Sequence, residues 1–345
     1  QPTPPAAVVA PPSGNGHVRL AEDGREVLRR TAASAMERME GRLLALLHGR
    51  LGAQEATVLE RLRVRYAQGS AQPSPALPGG TYTAEQLALE LERMAGAVRL
   101  VLDLDGLMDL PSDEDRSRVR RLLEQWLRER GAEAIGDLAE LTEAARDIEV
   151  SWQAERVVEF LDTQVDRAII VPDGTTATEL RTSLAEGVAN NETLGQLEER
   201  VRNVFTTRRN MAGTIARSEV VPGYNFATLE VWRAAPDVVE GQEWLSAHDD
   251  AVRETHREAD GQVVALGDHF RVGDAELAYQ GDPSSTELGE ILNCRCTMVA
   301  KVRAGLGRGA PGDEWTRWWS GAREPGGNRL RRYLQKEGPR GAGVE

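Results

Sequence analysis

Residues 208–247 read RRNMAGTIARSEVVPGYNFATLEVWRAAPDVVEGQEWLSA. The pattern is helical from about Arg208 to Ala235, with Pro222-Gly223 inside it. Proline removes an interior hydrogen bond and crowds the preceding turn, so a kink or break is expected there. After Pro236 the character changes. Glu243–Ala247, Gln262–Ala265, His269–Val272 and Cys296–Val302 are short and apolar or alternating, with Gly261, Gly267, Gly273 and Gly281 between them. Short strands separated by glycine-bearing turns predict a small sheet, with one helix at about Asp249–Glu258.

Upstream of this junction the periodicity is helical. Met36, Met39, Leu43, Leu46, Leu47 and Leu51 recur at helix spacing and share one face of a segment from about Glu22 to Ala67. Residues 68–80 break it with Pro73, Pro75, Pro78, Gly79 and Gly80. Thr83 with Gln86, Ser112 with Asp115, Thr176 with Glu179 and Thr193 with Gln196 have the form of reciprocal N-terminal caps. Gly131 and Gly136 interrupt the helix that begins near Ser112. A further amphipathic segment covers residues 152–168. Pro172-Asp173-Gly174 reads as a turn, and Asn190-Asn191 as a break. The fold class is therefore α+β and predominantly helical. A Pro-rich arm (1–20) precedes a helical region (21–168), a mixed module (169–302) and a tail (303–345).

Composition narrows the function classes. The 345 residues carry a net charge of −13, which argues against nucleic-acid binding over the whole surface. The imbalance is local: residues 301–345 are net +5, and the rest are net −18. Any contact with DNA or a partner is therefore sought in the tail, at Trp315, Trp318, Arg329, Arg331 and Arg332. The equal alternative is a short helix docking its tryptophans on the protein. No run of about 18 uncharged apolar residues occurs, so a membrane span is excluded. The first residues are Gln1-Pro2-Thr3, which reads as a processed chain or a segment of a longer product.

Only two cysteines are present, Cys294 and Cys296. Two thiols at i and i+2 share one side of an extended strand and are too close for an unstrained disulfide. Three readings remain. The thiols pack in the core, or they bind a metal with His256 and one of Asp250, His248 or His269, a donor set that suits zinc. A third reading makes the pair a nucleophile with a histidine base, giving a metal- or cysteine-dependent enzyme. No phosphate-binding loop, H-E-x-x-H or G-x-S-x-G motif accompanies it. Arg217 and Glu219, two apart on a helix, do not face each other and are expected in tertiary ion pairs.

The second half resembles a known family, the phage head morphogenesis (Mu F-like) minor capsid protein domain, over residues 175–302. The resemblance rests on Thr175-Thr176, Ile215-Ala216-Arg217-Ser218-Glu219, Asn225, Trp244-Leu245-Ser246-Ala247, Asp250, Val252-Arg253, His256, Asp260-Gly261-Gln262-Val263, Asp282-Pro283 and Asn293-Cys294-Arg295-Cys296. Pro222-Gly223 and the extra His248 depart from the pattern. The resemblance implies a structural role for Arg217, Glu219, Asn225, Arg253, Gly261, Asn293 and Arg295. It also implies a minor capsid protein of a tailed bacteriophage, found in the virion and, during assembly, in the host cytoplasm. Its partners would be the portal protein and other head proteins, and its work head assembly, DNA packaging or ejection rather than catalysis.

Overall fold

The computed structural model describes residues 22–69, 106–141, 148–190 and 192–303, the single positions 85 and 145, and the short segments 323–324 and 327–328. The arm, the helix expected from Thr83, and the tail positions Trp315, Trp318, Arg329, Arg331 and Arg332 lie outside the described residues. The fold is α+β and mostly helical, with a small antiparallel sheet near its C-terminal end.

Two long helices form its spine. Helix α1 spans Glu22–Gly69, and its apolar face buries Leu28, Met36, Met39, Leu43 and Leu47. Helix α2 spans Asp113–Leu141, α3 Glu155–Val165, α4 Val171–Ala189 and α5 Leu194–Arg233. At about 1.5 Å per residue, α1 and α5 are about 70 and 60 Å long. They run antiparallel against each other, tied by Glu40–Arg217 at 3.3 Å, Glu55–Arg209 at 2.5 Å and Arg63–Glu198 at 2.7 Å.

Two expected caps are present. Ser112 and Asp115 exchange hydrogen bonds at the start of α2. Thr193 and Gln196 form a complete capping box on α5.

Four sequence expectations are corrected. Pro172-Asp173-Gly174 is not a turn. A π-helical turn, Asp166–Ile170, follows α3 and leads directly into α4, with Pro172 in the first turn. Ile170 and Val171 are themselves helical, so the proline's missing N–H falls within a continuous helical run, where the backbone passes from the π-turn back to α-helix. Asp173 is instead drawn to α1, accepting from Arg50 at 2.6 Å and Gln54 at 2.8 Å. Thr176 lies inside this helix rather than capping it, and its hydroxyl donates to the Pro172 carbonyl at 2.7 Å. Gly131 and Gly136 do not interrupt α2. A Cβ at Gly131 would lie 2.2 Å from the Trp152 ring, so the missing side chain admits an indole.

Of the kink or break expected at Pro222, the break does not occur, and α5 continues to Arg233. This proline sits in a packed seam. A Cβ on Gly281 would meet its ring at 3.0 Å, and a Cβ on Gly223 would meet Trp126 at 2.1 Å. Tertiary packing on both sides offsets the lost helical hydrogen bond, a cost of about 3 kcal/mol in an exposed helix.

Beyond Pro236 the strands begin. β1 (Val239–Leu245) is the centre of a three-stranded antiparallel sheet with β2 (Val263–Ala265) and β5 (Thr297–Val302) on its two sides. Trp244 pairs with Met298 and Leu245 with Thr297. Between β1 and β2 lies helix α6, Glu254–Ala259, which is shorter and later than the Asp249–Glu258 expected from the sequence. β3 (Phe270–Val272) and β4 (Ala275–Leu277) form a hairpin, of which the sequence pattern predicts only the first strand. A short helix α7 (Leu288–Ile291) leads back to β5. Arg323–Glu324 (β6) pairs with Gly327–Asn328 (β7).

The main hydrophobic cluster does not stop at residue 168. It includes Leu28, Met39 and Leu43 of α1, Trp126 of α2, Phe160 of α3, Tyr224 and Trp232 of α5, and Trp244, Cys294 and Met298 of the mixed module. Arg25 reinforces the junction, donating to Glu243 at 2.6 Å and to Asp260 at 2.8 Å. Arg29 adds a bond to the Ser246 carbonyl at 3.0 Å.

Candidate functional site

The segment Leu292–Thr297, between α7 and β5, carries both thiols. Asn293 adopts a left-handed backbone with φ of 54°, a conformation asparagine tolerates better than most residues. Four neighbours hold it. Arg253 donates to the Leu292 carbonyl at 2.6 Å. The Asn293 N–H donates to the Ser218 hydroxyl at 2.9 Å, and Arg217 donates to the Asn293 side-chain oxygen at 2.9 Å. Asn225, fully buried on α5, donates to the carbonyls of Cys296 at 3.2 Å and Gln280 at 3.3 Å. Its own oxygen accepts from the Thr297 hydroxyl at 3.0 Å.

Arg295 leaves the segment outward and grips Asp249 with two hydrogen bonds, at 2.5 and 2.7 Å. With Arg217, it borders a cleft of about 320 Å³ against α1, a cleft that neither thiol lines. The flanking thiols turn the other way, into the core. The i, i+2 reading is thereby realised: alternate side chains of an extended segment take opposite sides.

Three side chains converge there. His256 Nδ1 lies 3.4 Å from Cys296 Sγ and 3.7 Å from Cys294 Sγ. The three residues are at most 2% exposed. Trp244 meets the imidazole edge-on, ring centres 5.4 Å apart, and Phe270 backs Trp244 in turn. On the far side of the ring, Glu290 Oε2 sits 3.1 Å from Nε2, off the line of a straight hydrogen bond. Thr255 fixes that carboxylate with a 2.8 Å hydrogen bond.

The electrostatics of the two thiols diverge. A hydrogen bond from Cys296, opposed by burial and aided by His256, holds the Cys294 thiol well below its usual range. The same contact with Cys294, together with burial, pushes the Cys296 thiol well above it. Burial alone would lower His256, but its hydrogen bond and charge interaction with Cys294 outweigh it and raise the imidazole above its ordinary value. Cys294 Sγ also accepts the Cys296 N–H at 3.3 Å.

Of the four expected ligands, Asp250 is not brought to the cluster. It is exposed on the turn after β1 together with His248, and His269 is exposed just before β3. Asp249, next to Asp250, is exposed too and pairs with Arg295. Among the described residues, His256, Cys294 and Cys296 are the group whose donor atoms all lie within 4.8 Å of one another.

The remaining residues singled out in the sequence have structural contacts. Arg217 pairs with Glu40 on α1, and Glu219 is buried against Arg167 at 3.2 Å. Gly261 has φ of 79° and donates its N–H to the Trp244 carbonyl at 2.9 Å, closing the turn into β2. Ser218, Glu290, Asp249 and Thr297 belong to this network without any sign of it in the sequence. Ser218 lies inside the Arg217–Glu219 triplet, but nothing in its spacing says that its hydroxyl reaches across to residue 293.

Residues 178–299 match the family model for Phage Mu protein F like protein. This stretch is a Mu F-like head morphogenesis domain. The match begins within α4 and ends in β5, so it contains the whole network around residue 293. No curated protein and no solved structure matches the chain. The Mu F-like domain shares its hydrophobic core with α1, α2 and α3, which precede it. Among the described residues no helix is long and apolar enough to cross a membrane.

Proposed function

We propose that this chain is a minor head protein of a tailed bacteriophage. It docks on the portal and neighbouring head proteins, and acts in head assembly and the handling of packaged DNA. The observation that carries the reading is the Mu F-like domain at residues 178–299. The roles of its motif residues support a structural function. Arg217, Asn225, Arg253 and Asn293 spend their hydrogen bonds on holding one turn of backbone. Of these four only Arg217 lines the cleft against α1, so they do not converge on one open site. The thiols that an enzyme would use are at most 2% exposed, too enclosed to meet a macromolecular substrate. In this reading the long α1–α5 spine is the docking body, and the basic tail after residue 301 approaches DNA.

The test is proteomics of purified particles and proheads from the phage that encodes the chain. This protein should be present at low copy number and should cross-link to the portal. Its absence from both particle types would overturn the assignment. Cross-links confined to the tail tube would overturn the portal docking.

A further inference from the structure

The distances around His256 match those of a shared metal ion. Zinc binds imidazole nitrogen at about 2.0–2.1 Å and thiolate sulfur at about 2.3 Å, with tetrahedral angles. Those lengths place nitrogen and sulfur about 3.6 Å apart across the ion. Here Nδ1 lies 3.4 Å from one sulfur and 3.7 Å from the other. Hydrogen bonding to the imidazole requires only one sulfur at such a distance. A common ion accounts for both.

We propose that His256 Nδ1, Cys294 Sγ and Cys296 Sγ bind one Zn²⁺, with a water molecule completing the tetrahedron. Each thiol gives its proton to solvent as it ligates, so two anionic sulfurs neutralise the dication. The carboxylate behind the ring is a second, independent observation. A metal-bound histidine almost always gives its other N–H to a carboxylate, carbonyl or water, which fixes the ring orientation. His256 Nε2 is buried with no hydrogen-bond partner, and Glu290 Oε2 waits 3.1 Å away, tethered by Thr255. A small rotation of Glu290 completes the bond. Glu290 is a positioning residue and not a ligand, because it lies at the nitrogen that faces away from the sulfurs.

Burial and connectivity assign the ion a structural task. It would staple the segment before β5 to α6, two parts of the chain 38 residues apart at their nearest ligands. This inference stands on the local geometry and does not depend on the role in the phage head.

The experiment uses the full chain, purified under a non-chelating reductant. Elemental analysis should find about one zinc per chain. Replacement by Co²⁺ should produce a thiolate-to-cobalt charge-transfer band together with tetrahedral ligand-field bands. Cys294→Ser and Cys296→Ser should each lose the metal, and His269→Gln should keep it. Glu290→Gln should keep the fold and bind zinc about 10- to 100-fold more weakly. Where a serine variant fails to fold, the wild-type chain decides: stripping with a chelator should lower its melting temperature and added zinc should restore it. A folded wild-type chain that holds no zinc after incubation with excess ion would overturn the site. So would full zinc retention in the double serine variant, or loading by Cu(I) but not by Zn²⁺.

Discussion

The two halves of helix α5 live in different solvents. From Leu194 to Ile215 it is an ordinary amphipathic helix whose buried stripe is Leu197, Val201, Phe205, Arg208 and Ala212. These positions follow the three- and four-residue spacing of a single face. From Ser218 to Trp232 every position is buried. Helices α1, α2 and α3 cover one side and the sheet module covers the other. A helix buried all round belongs at the centre of a core, and any polar group on it must find a partner inside the protein. Thus the second half holds Asn225, Thr228, Glu219 and Glu230, all nearly solvent-free and all bonded. The same kinds of residue on the outer face of the first half need only water.

The largest consequence concerns asparagine. Asn225 satisfies two carbonyls and one hydroxyl from two other parts of the chain, at Gln280 and at Cys296-Thr297. Asn225→Ala strands all three, and each buried polar group left without a partner costs about 1–3 kcal/mol. The expected loss is about 4 kcal/mol in chemical denaturation, allowing for partial relaxation. Asn203→Ala, on the exposed side of the first half, should change stability by less than about 0.5 kcal/mol. Similar losses at the two sites would remove the distinction between the halves.

Glu219 makes the comparison visible in pH. Burial pushes its carboxyl up to about 7, with Arg167 opposing, against an ordinary value of 4.5. The Gln164 amide lies 2.5 Å from it, and can turn to donate to the charged form or to accept from the protonated one. Between pH 4.5 and 7 the folded chain keeps a proton that the unfolded chain releases. Stability therefore falls as pH rises through that window and is level on either side of it. Glu219→Gln removes this dependence. Relative to the variant, the wild type should lose on the order of 2–3 kcal/mol between pH 5 and pH 8. Other titrating groups cancel in the difference. A wild-type-minus-variant difference that is the same at both pH values would show that Glu219 is not held in a desolvated site.

The first half of α5 is readable from the sequence and the second is not, for one physical reason. Amphipathic periodicity reports contact with a single neighbouring layer, so the α1 face, the Thr193–Gln196 cap and the change of pattern after Pro236 can all be read. Surrounding a helix on every side erases the period. It also lets packing override local rules, which is why Pro222 misleads. The candidate site divides the same way. The shared side of Cys294 and Cys296 follows from strand alternation. The choice of His256 over His248, His269 or Asp250 does not, because it depends on how a short helix is set against a distant turn. Glu290 and Ser218 are unreadable for the same reason: their partners lie 34 and 75 residues away.

Glycine gives the smallest effect and the one with a change of sign. Gly213, in the first half, has nothing within 4 Å of the point a Cβ would occupy. Alanine is favoured over glycine in a helix interior by about 1 kcal/mol, partly through the unfolded chain, which loses freedom. Gly213→Ala should therefore stabilise by up to about that amount. Gly223, ten residues later in the same helix, would place the methyl 2.1 Å from the Trp126 ring. The propensity gain is the same there, but the indole must move within a packed core, and overpacking of this kind costs about 1–3 kcal/mol. The net expectation for Gly223→Ala is a loss of about 1 kcal/mol, measured against Gly213→Ala by thermal or chemical denaturation. Trp126→Phe in the Gly223→Ala background should recover part of that loss, because the smaller ring vacates the contact. If both alanine variants gained stability, the Gly223 seam would be slack, and Pro222 would have lost the packing that keeps α5 continuous through it.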